Sequence, residues 1–195
     1  MAQLLPLLTA LVLCSYGPVG SLGCDLPHNS APLSRSTLVL LDQMRRVSPV
    51  LCLKDRRDFQ FPREVVNGSQ FQKNQTVSVL HEMLQQIFNL LHTARSSAAW
   101  NNTLLEELHT ALHQQLQGLE TCLVQAMGEE DSVLTADSPT LMLKRYFQRI
   151  RLYLDEKKHS GCAWELVRME IRRAFSSTAD LQESLRSKDG DLASP

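Results

Sequence analysis

Residues 77–91, VSVLHEMLQQIFNLL, decide the fold. Within them Val77, Leu80, Met83, Leu84, Ile87, Phe88 and Leu91 recur at spacings of three and four, and Gln85, Gln86 and Asn89 fall away from that stripe. Spacing near 3.6 puts one apolar band on an α-helix, which needs a second apolar surface to cover it. The chain supplies several. From 102 to 127, Leu105, Leu108, Leu112, Leu116, Leu119, Leu123 and Ala126 repeat the rule, with Asn102 as the expected N-cap and Gly128 as the expected stop. Ser138-Pro139, a cap followed by proline at the first helical position, opens a helix carrying Leu143, Phe147, Ile150 and Leu154. Another is expected from about Gly161 to Leu185, through Ala163, Leu166, Val167, Ile171, Ala174 and Phe175. One nearer the start holds Leu38, Leu41, Met44 and Val47.

The connections select the topology. Residues 48 to 76 contain Ser48-Pro49, Phe61-Pro62 and Asn67-Gly68, too many breakers over too long a stretch for a tight antiparallel turn, so they read as a crossover along the bundle. The other loops are short to moderate. At the start, residues 4–13 (LLPLLTALVL) form an apolar run too short to span a bilayer, and Ser21-Leu22-Gly23 fits a signal-peptidase cut before Cys24. Cys14 would leave with residues 1–23, so Cys24, Cys52, Cys122 and Cys162 remain, an even set suited to an oxidising compartment. Residues 24–195 suit a single domain, with 188–195 expected as a flexible tail. The expected fold is therefore all-α, a secreted, disulfide-bonded, up-up-down-down bundle of five helices with a long first crossover, the architecture of helical cytokines.

Residues that carry chemistry are scarce. A formal net charge of −1 argues against nucleic acid or acidic membrane surfaces as main partners. His109 and His113 lie one turn apart, but no third ligand or supporting acid follows from spacing, so no metal is expected. His81-Glu82 resembles the start of a zinc-protease helix, yet Gln85 occupies the place of the second histidine. No Cys-x-x-Cys pair, phosphate loop or nucleophile elbow is present, and neither a catalytic residue nor a cofactor is expected. Trp100 and Trp164 read as packing residues. Asn67, Asn74 and Asn101 each begin an N-glycosylation sequon at a predicted loop or helix start.

The run Tyr146-Phe147-Gln148-Arg149-Ile150, then Tyr153-Leu154, then Cys162-Ala163-Trp164 resembles the diagnostic pattern of the type I interferons. The resemblance extends through Cys24-Asp25-Leu26-Pro27, the stretch from Cys52 to Phe59, the 78–90 helix, Ser96-Ser97-Ala98-Ala99-Trp100 and the tail from Leu185 to Leu192. It is strongest to the omega branch, with the tau branch, and its role as a trophoblast pregnancy signal, as the near alternative.

Sequence alone leaves three ways to pair four cysteines; the resemblance implies Cys24 with Cys122 and Cys52 with Cys162. It also implies a monomer bridging the two chains of the type I interferon receptor, with JAK-STAT signalling and antiviral and antiproliferative responses, and no direct membrane insertion. The high-affinity chain would meet Leu53, Arg56, Arg168, Met169, Arg172 and Arg173; from periodicity, Arg168 and Arg172 share a face. Arginines on an amphipathic helix commonly form only its solvated side, so the resemblance carries this assignment. Arg172 and Ser177 depart from the methionine and leucine common in relatives. The low-affinity chain would meet Phe88, Asn89, Leu104, His109, His113, Lys144 and Arg145, with the two histidines replacing aromatic hydroxyl side chains. From a different class, a secreted helical carrier of an apolar ligand is the alternative, although tightly packed leucines leave little room for a cavity.

Overall fold

The apolar stripe at 77–91 is the inner face of a helix whose Val77, Leu80, Met83, Leu84, Ile87 and Leu91 are all buried. The computed structural model describes residues 30–66, 73–126 and 138–192, and all regular structure among them is helical. The elements are α1 (Ser30–Gln43), a 3-10 turn (Pro49–Asp55), α2 (Arg63–Val66), α3 (Lys73–Leu91), α4 (Ala94–Ala99), α5 (Asn102–Ala126), α6 (Pro139–Glu156) and α7 (Gly161–Leu192). The expected cleavage after Gly23, the half-bridge Cys24, the sequon Asn67 and the expected stop Gly128 lie outside the described residues.

Cross-helix pairs fix the directions. Gln115 of α5 meets Ser34 and Thr37 of α1, while Arg46 beyond α1 bonds the Ala99 carbonyl ahead of α5, so these helices run antiparallel. Val47 meets Gly161, and Leu41 and Asp42 meet Arg168 and Arg172, so α1 and α7 are also antiparallel. His81 lies by Glu120 and Phe88 by His113 and His109, which opposes α3 to α5. Four helices thus read up (α1), up (α3), down (α5), down (α7). The fifth, α6, runs parallel to α3, because Glu82 pairs with Lys144 and Gln86 with Arg151. Helices α5 and α7 each pack against both α1 and α3.

Several ends differ from the sequence expectation. Helix α1 stops at Gln43, so buried Met44 and half-buried Val47 follow it. The N-cap of α5 is Asn101, whose Oδ1 accepts from the Thr103 and Leu104 amides at 2.9 and 3.3 Å, not Asn102. Ser138 does stand at the N-cap of α6 ahead of Pro139, but its hydroxyl meets Thr140 instead of a backbone amide. Helix α7 is described through Leu192, seven residues past the expected end at Leu185. The short α4 was not foreseen; its start is a capping box in which Thr93 and Ser96 exchange side-chain and backbone bonds.

Candidate functional site

Burying Cys52 against α7 ties two distant stretches together. The Cys52–Cys162 disulfide joins the 3-10 turn to the first turn of α7 across 110 residues, with a Cα–Cα distance of 5.2 Å. Of the other pairing, Cys122 is buried and disulfide-bonded. The later part of the crossover lies along α7 with its apolar residues turned inward. Phe59, Phe61 and Val65 are buried, Phe61 packs edge-on to Tyr146 at 5.3 Å, and Arg173 covers the Phe61 ring at 4.8 Å.

Between crossover and helix runs an open groove of about 350 Å³, walled by Arg56, Arg57, Asp58 and Phe59 on one side and by Leu166, Met169, Glu170 and Arg173 on the other. Arg56, Met169 and Arg173, assigned together from sequence, do meet here. Leu53 projects from the 3-10 turn at 55% exposure, beside Val50 and Leu51, which are more exposed still. That apolar lip was missed; its signal was the run Pro49-Val50-Leu51, three breaker-adjacent residues with no helical stripe to join. Glu170 accepts a bond from the Tyr146 hydroxyl at 2.8 Å and pairs with Arg173 at 3.4 Å. Burial, reinforced by Glu170, pushes the Tyr146 phenol far above its usual range, so it stays protonated.

Arg168 and Arg172 do share the side of α7 that meets α1, both reaching Asp42 Oδ1, at 3.8 and 2.8 Å, but Arg168 is buried and not part of an exposed surface. It is 4% exposed, with Nε and Nη2 on both carboxylate oxygens of Glu165, itself 2% exposed, and Nη1 on the Leu41 carbonyl at 2.8 Å. Arg172, one turn on, is outside and pairs with Asp42 at 2.8 Å. The reason is helical phase. Position 168 falls four after Trp164, three before Ile171 and seven before Phe175, all buried. Arg168 is therefore a tie between α7 and the end of α1, and the outward edge consists of Met169, Arg172 and Arg173.

The second set of residues gathers on α3 and its flanks. Phe88 is half-buried, stacks on His92 at 5.3 Å and tilts against His109 at 5.5 Å and His113 at 6.4 Å. His92, only 5.1 Å from His109, was not singled out from sequence because it sits just beyond the end of α3. Burial holds the His109 imidazole below its ordinary pKa, and His92 acts in the same direction, against a bond to the Leu91 carbonyl and the charge of Glu106. Its Nε2 is buried with no partner, as a neutral ring allows. Asn89 is exposed and takes a bond from Gln85, Leu104 is half-buried, Lys144 reaches Glu82 at 3.6 Å, and Arg145 is exposed. Among the described residues no three His, Cys, Asp or Glu side chains are disposed to hold a metal ion, and no helix is long and apolar enough to cross a membrane.

Asn101 and Asn74 are exposed. Asn101 uses its amide oxygen as the α5 cap. Trp100 and Trp164 are buried and meet edge-on at 4.8 Å, in keeping with packing roles.

Residues 26–185 match the interferon alpha/beta domain. The chain is 68% identical to human interferon omega-1 over 194 residues, covering all of both chains, and 62% identical to horse interferon omega-2 over 195 residues with the same full coverage. Red deer interferon tau is 60% identical over 195 residues, again across both whole chains. Among solved structures, zebrafish interferon 1 superposes with a TM-score of 0.65 over 82% of this chain and 97% of its own, at 18% identity. That likeness is one of fold alone.

Proposed function

This chain belongs to the alpha/beta interferon family, and from that membership we propose that it acts outside the cell by bridging the two chains of the type I interferon receptor. It is a cytokine of an antiviral family whose members are not enzymes. Residues 1–23 are removed on secretion, and 24–195 act as one monomeric domain. The two receptor chains, held by different sides of one rigid bundle, bring their intracellular kinases together and start JAK-STAT signalling, with antiviral and antiproliferative outcomes.

The observation that carries this reading is the disulfide-tied groove between crossover and α7. Met169 stays exposed there although apolar, at 37%, Leu53 projects from the 3-10 turn at 55%, and Arg56 and Arg173 flank the groove with guanidinium forks. Exposed apolar contacts ringed by arginine make a suitable binding centre. We assign this groove, with Arg172, to the high-affinity receptor chain. The surface of Phe88, Asn89, Leu104, His109, His113, Lys144 and Arg145 is assigned to the low-affinity chain. Helices α7 and α5, which carry much of the two surfaces, each pack on α1 and α3, so one ligand can be held from two sides.

The test is STAT phosphorylation in matched cells that have both receptor chains or lack either one. The response should vanish on loss of either chain; a response that persists would refute the bridging mechanism. With purified chains, Arg56→Ala should weaken the high-affinity complex by about 2 kcal/mol, roughly thirtyfold, and leave the low-affinity complex unchanged. An unchanged dissociation constant for the high-affinity chain would move the site elsewhere.

A further inference from the structure

We propose that Arg149 is the positioning residue of the crossover surface: from α6 it clasps the chain at Phe59 and Gln60 and so sets where Arg56 and its neighbours stand beside α7. This rests on the reading that the groove meets the high-affinity receptor chain. Arg149 does not line the groove. Its Nε donates to the Phe59 carbonyl and its Nη2 to the Gln60 carbonyl, both at 3.0 Å, reaching back 90 and 89 residues in sequence. Consecutive carbonyls of an extended chain point to opposite sides. Here Gln60 has φ of 54°, a left-handed conformation that brings its carbonyl round to the side of the preceding one, and its amide bonds Asp58 Oδ1 at 2.8 Å. A planar guanidinium, with several donors in fixed directions, can span two such oxygens; a lysine ammonium is a more strongly hydrated point charge.

The same helix supplies the rest of the bed. Tyr146, Arg149 and Tyr153 form one row on α6, at spacings of three and four. The Tyr153 hydroxyl donates to the Asp55 carbonyl at 2.9 Å, and the Tyr153 and Tyr146 rings meet Phe59 and Phe61 edge-on at 5.1 and 5.3 Å. Segment 52–60 is therefore fixed covalently at Cys52 and by hydrogen bonds at its far end, and Leu53, Arg56 and Arg57 lie between. The remaining ties in that interval include the surface pairs Lys157–Asp55 and Arg57–Glu156, a class of contact that holds little at ordinary salt. A left-handed glutamine relaxes readily once its carbonyl loses its partner. The cost of ordering the loop then falls on the binding step.

Arg149→Gln and Arg149→Lys separate this role from bulk stability. Amide hydrogen exchange across residues 55–61 and affinities for both purified receptor chains are the measurements. Arg149→Gln should lose exchange protection at 55–61 and weaken the high-affinity complex about tenfold, mainly through faster dissociation, with the low-affinity complex unchanged as the control for the fold. Arg149→Lys should fall between the two. Combined with Arg56→Ala, the losses should sum to less than additive, because Arg149 acts through the segment that carries Arg56. Unchanged exchange in Arg149→Gln, unchanged affinity despite lost protection, or fully additive losses would each overturn the inference. If Arg56→Ala by itself has no effect, the surface has been misassigned and the inference falls with it, an outcome distinct from failure at Arg149 alone.

Discussion

Position 168 carries a charge in a row otherwise made of Trp164, Ile171 and Phe175, and the structure accommodates it by pairing it with Glu165 and the Leu41 carbonyl. Arg168 and Arg56 thus invite opposite experiments. Removing Arg168 leaves Glu165 buried without its partner, so Arg168→Ala should destabilise the fold by about 3 kcal/mol, read as a lower thermal midpoint, and should depress binding to both receptor chains together. A variant with wild-type stability that lost only the high-affinity chain would return Arg168 to the contact surface. The burial of 168 was not legible in the sequence, because its spacing groups it with Arg172 on the charged side as readily as with Trp164 and Ile171 on the apolar stripe. Its partner was no more legible. Leu41 is 127 residues away, and nothing local in either stretch announces that its carbonyl needs a donor.

Helix ends show the same division at the scale of the element. Stripes placed the middles of α3, α5, α6 and α7, and the starts of α6 at Ser138-Pro139 and of α7 at Gly161 stand as expected, whereas the N-cap of α5 and the ends of α1 and α7 moved by a residue or more. The turn between α6 and α7 is closed by bonds from His159 to the Leu154 carbonyl and from Lys158 to the Asp155 carbonyl, the Schellman arrangement. Lys158 and His159 have φ of 51° and 54°, where glycine is the usual occupant. Ser160 then caps α7 by accepting from the Ala163 amide at 3.2 Å. Lys158→Gly should relieve the left-handed strain and, after glycine's larger unfolded-state entropy, stabilise the protein by roughly 0.5–1 kcal/mol, an increase of about 1–4 °C in thermal midpoint. A lower midpoint would mean that Lys158 contributes more than its backbone geometry. No glycine stands at this turn to mark it, so the sequence located the boundary only through Gly161.

For the whole molecule, the Cys52–Cys162 bridge does two separable things. It closes a loop of more than a hundred residues, worth on the order of 4–5 kcal/mol in the chain-entropy model, and it anchors the crossover beside α7. Replacing both cysteines by serine should lower the thermal midpoint and, at a temperature where the fold persists, weaken the high-affinity receptor chain far more than the low-affinity one. Unchanged signalling potency in that double variant would refute the anchoring role. The sequence by itself determined the helical class, the apolar faces, the long crossover and the family, because periodicity and local motifs are properties of neighbouring residues. Only the tertiary structure decided that Arg168 turns inward, that Val50 and Leu51 extend an exposed apolar lip, that His92 joins Phe88 and His109, and that Arg149 holds Phe59 and Gln60. Each depends on which distant surface arrives against a side chain, and that is set by packing across the bundle.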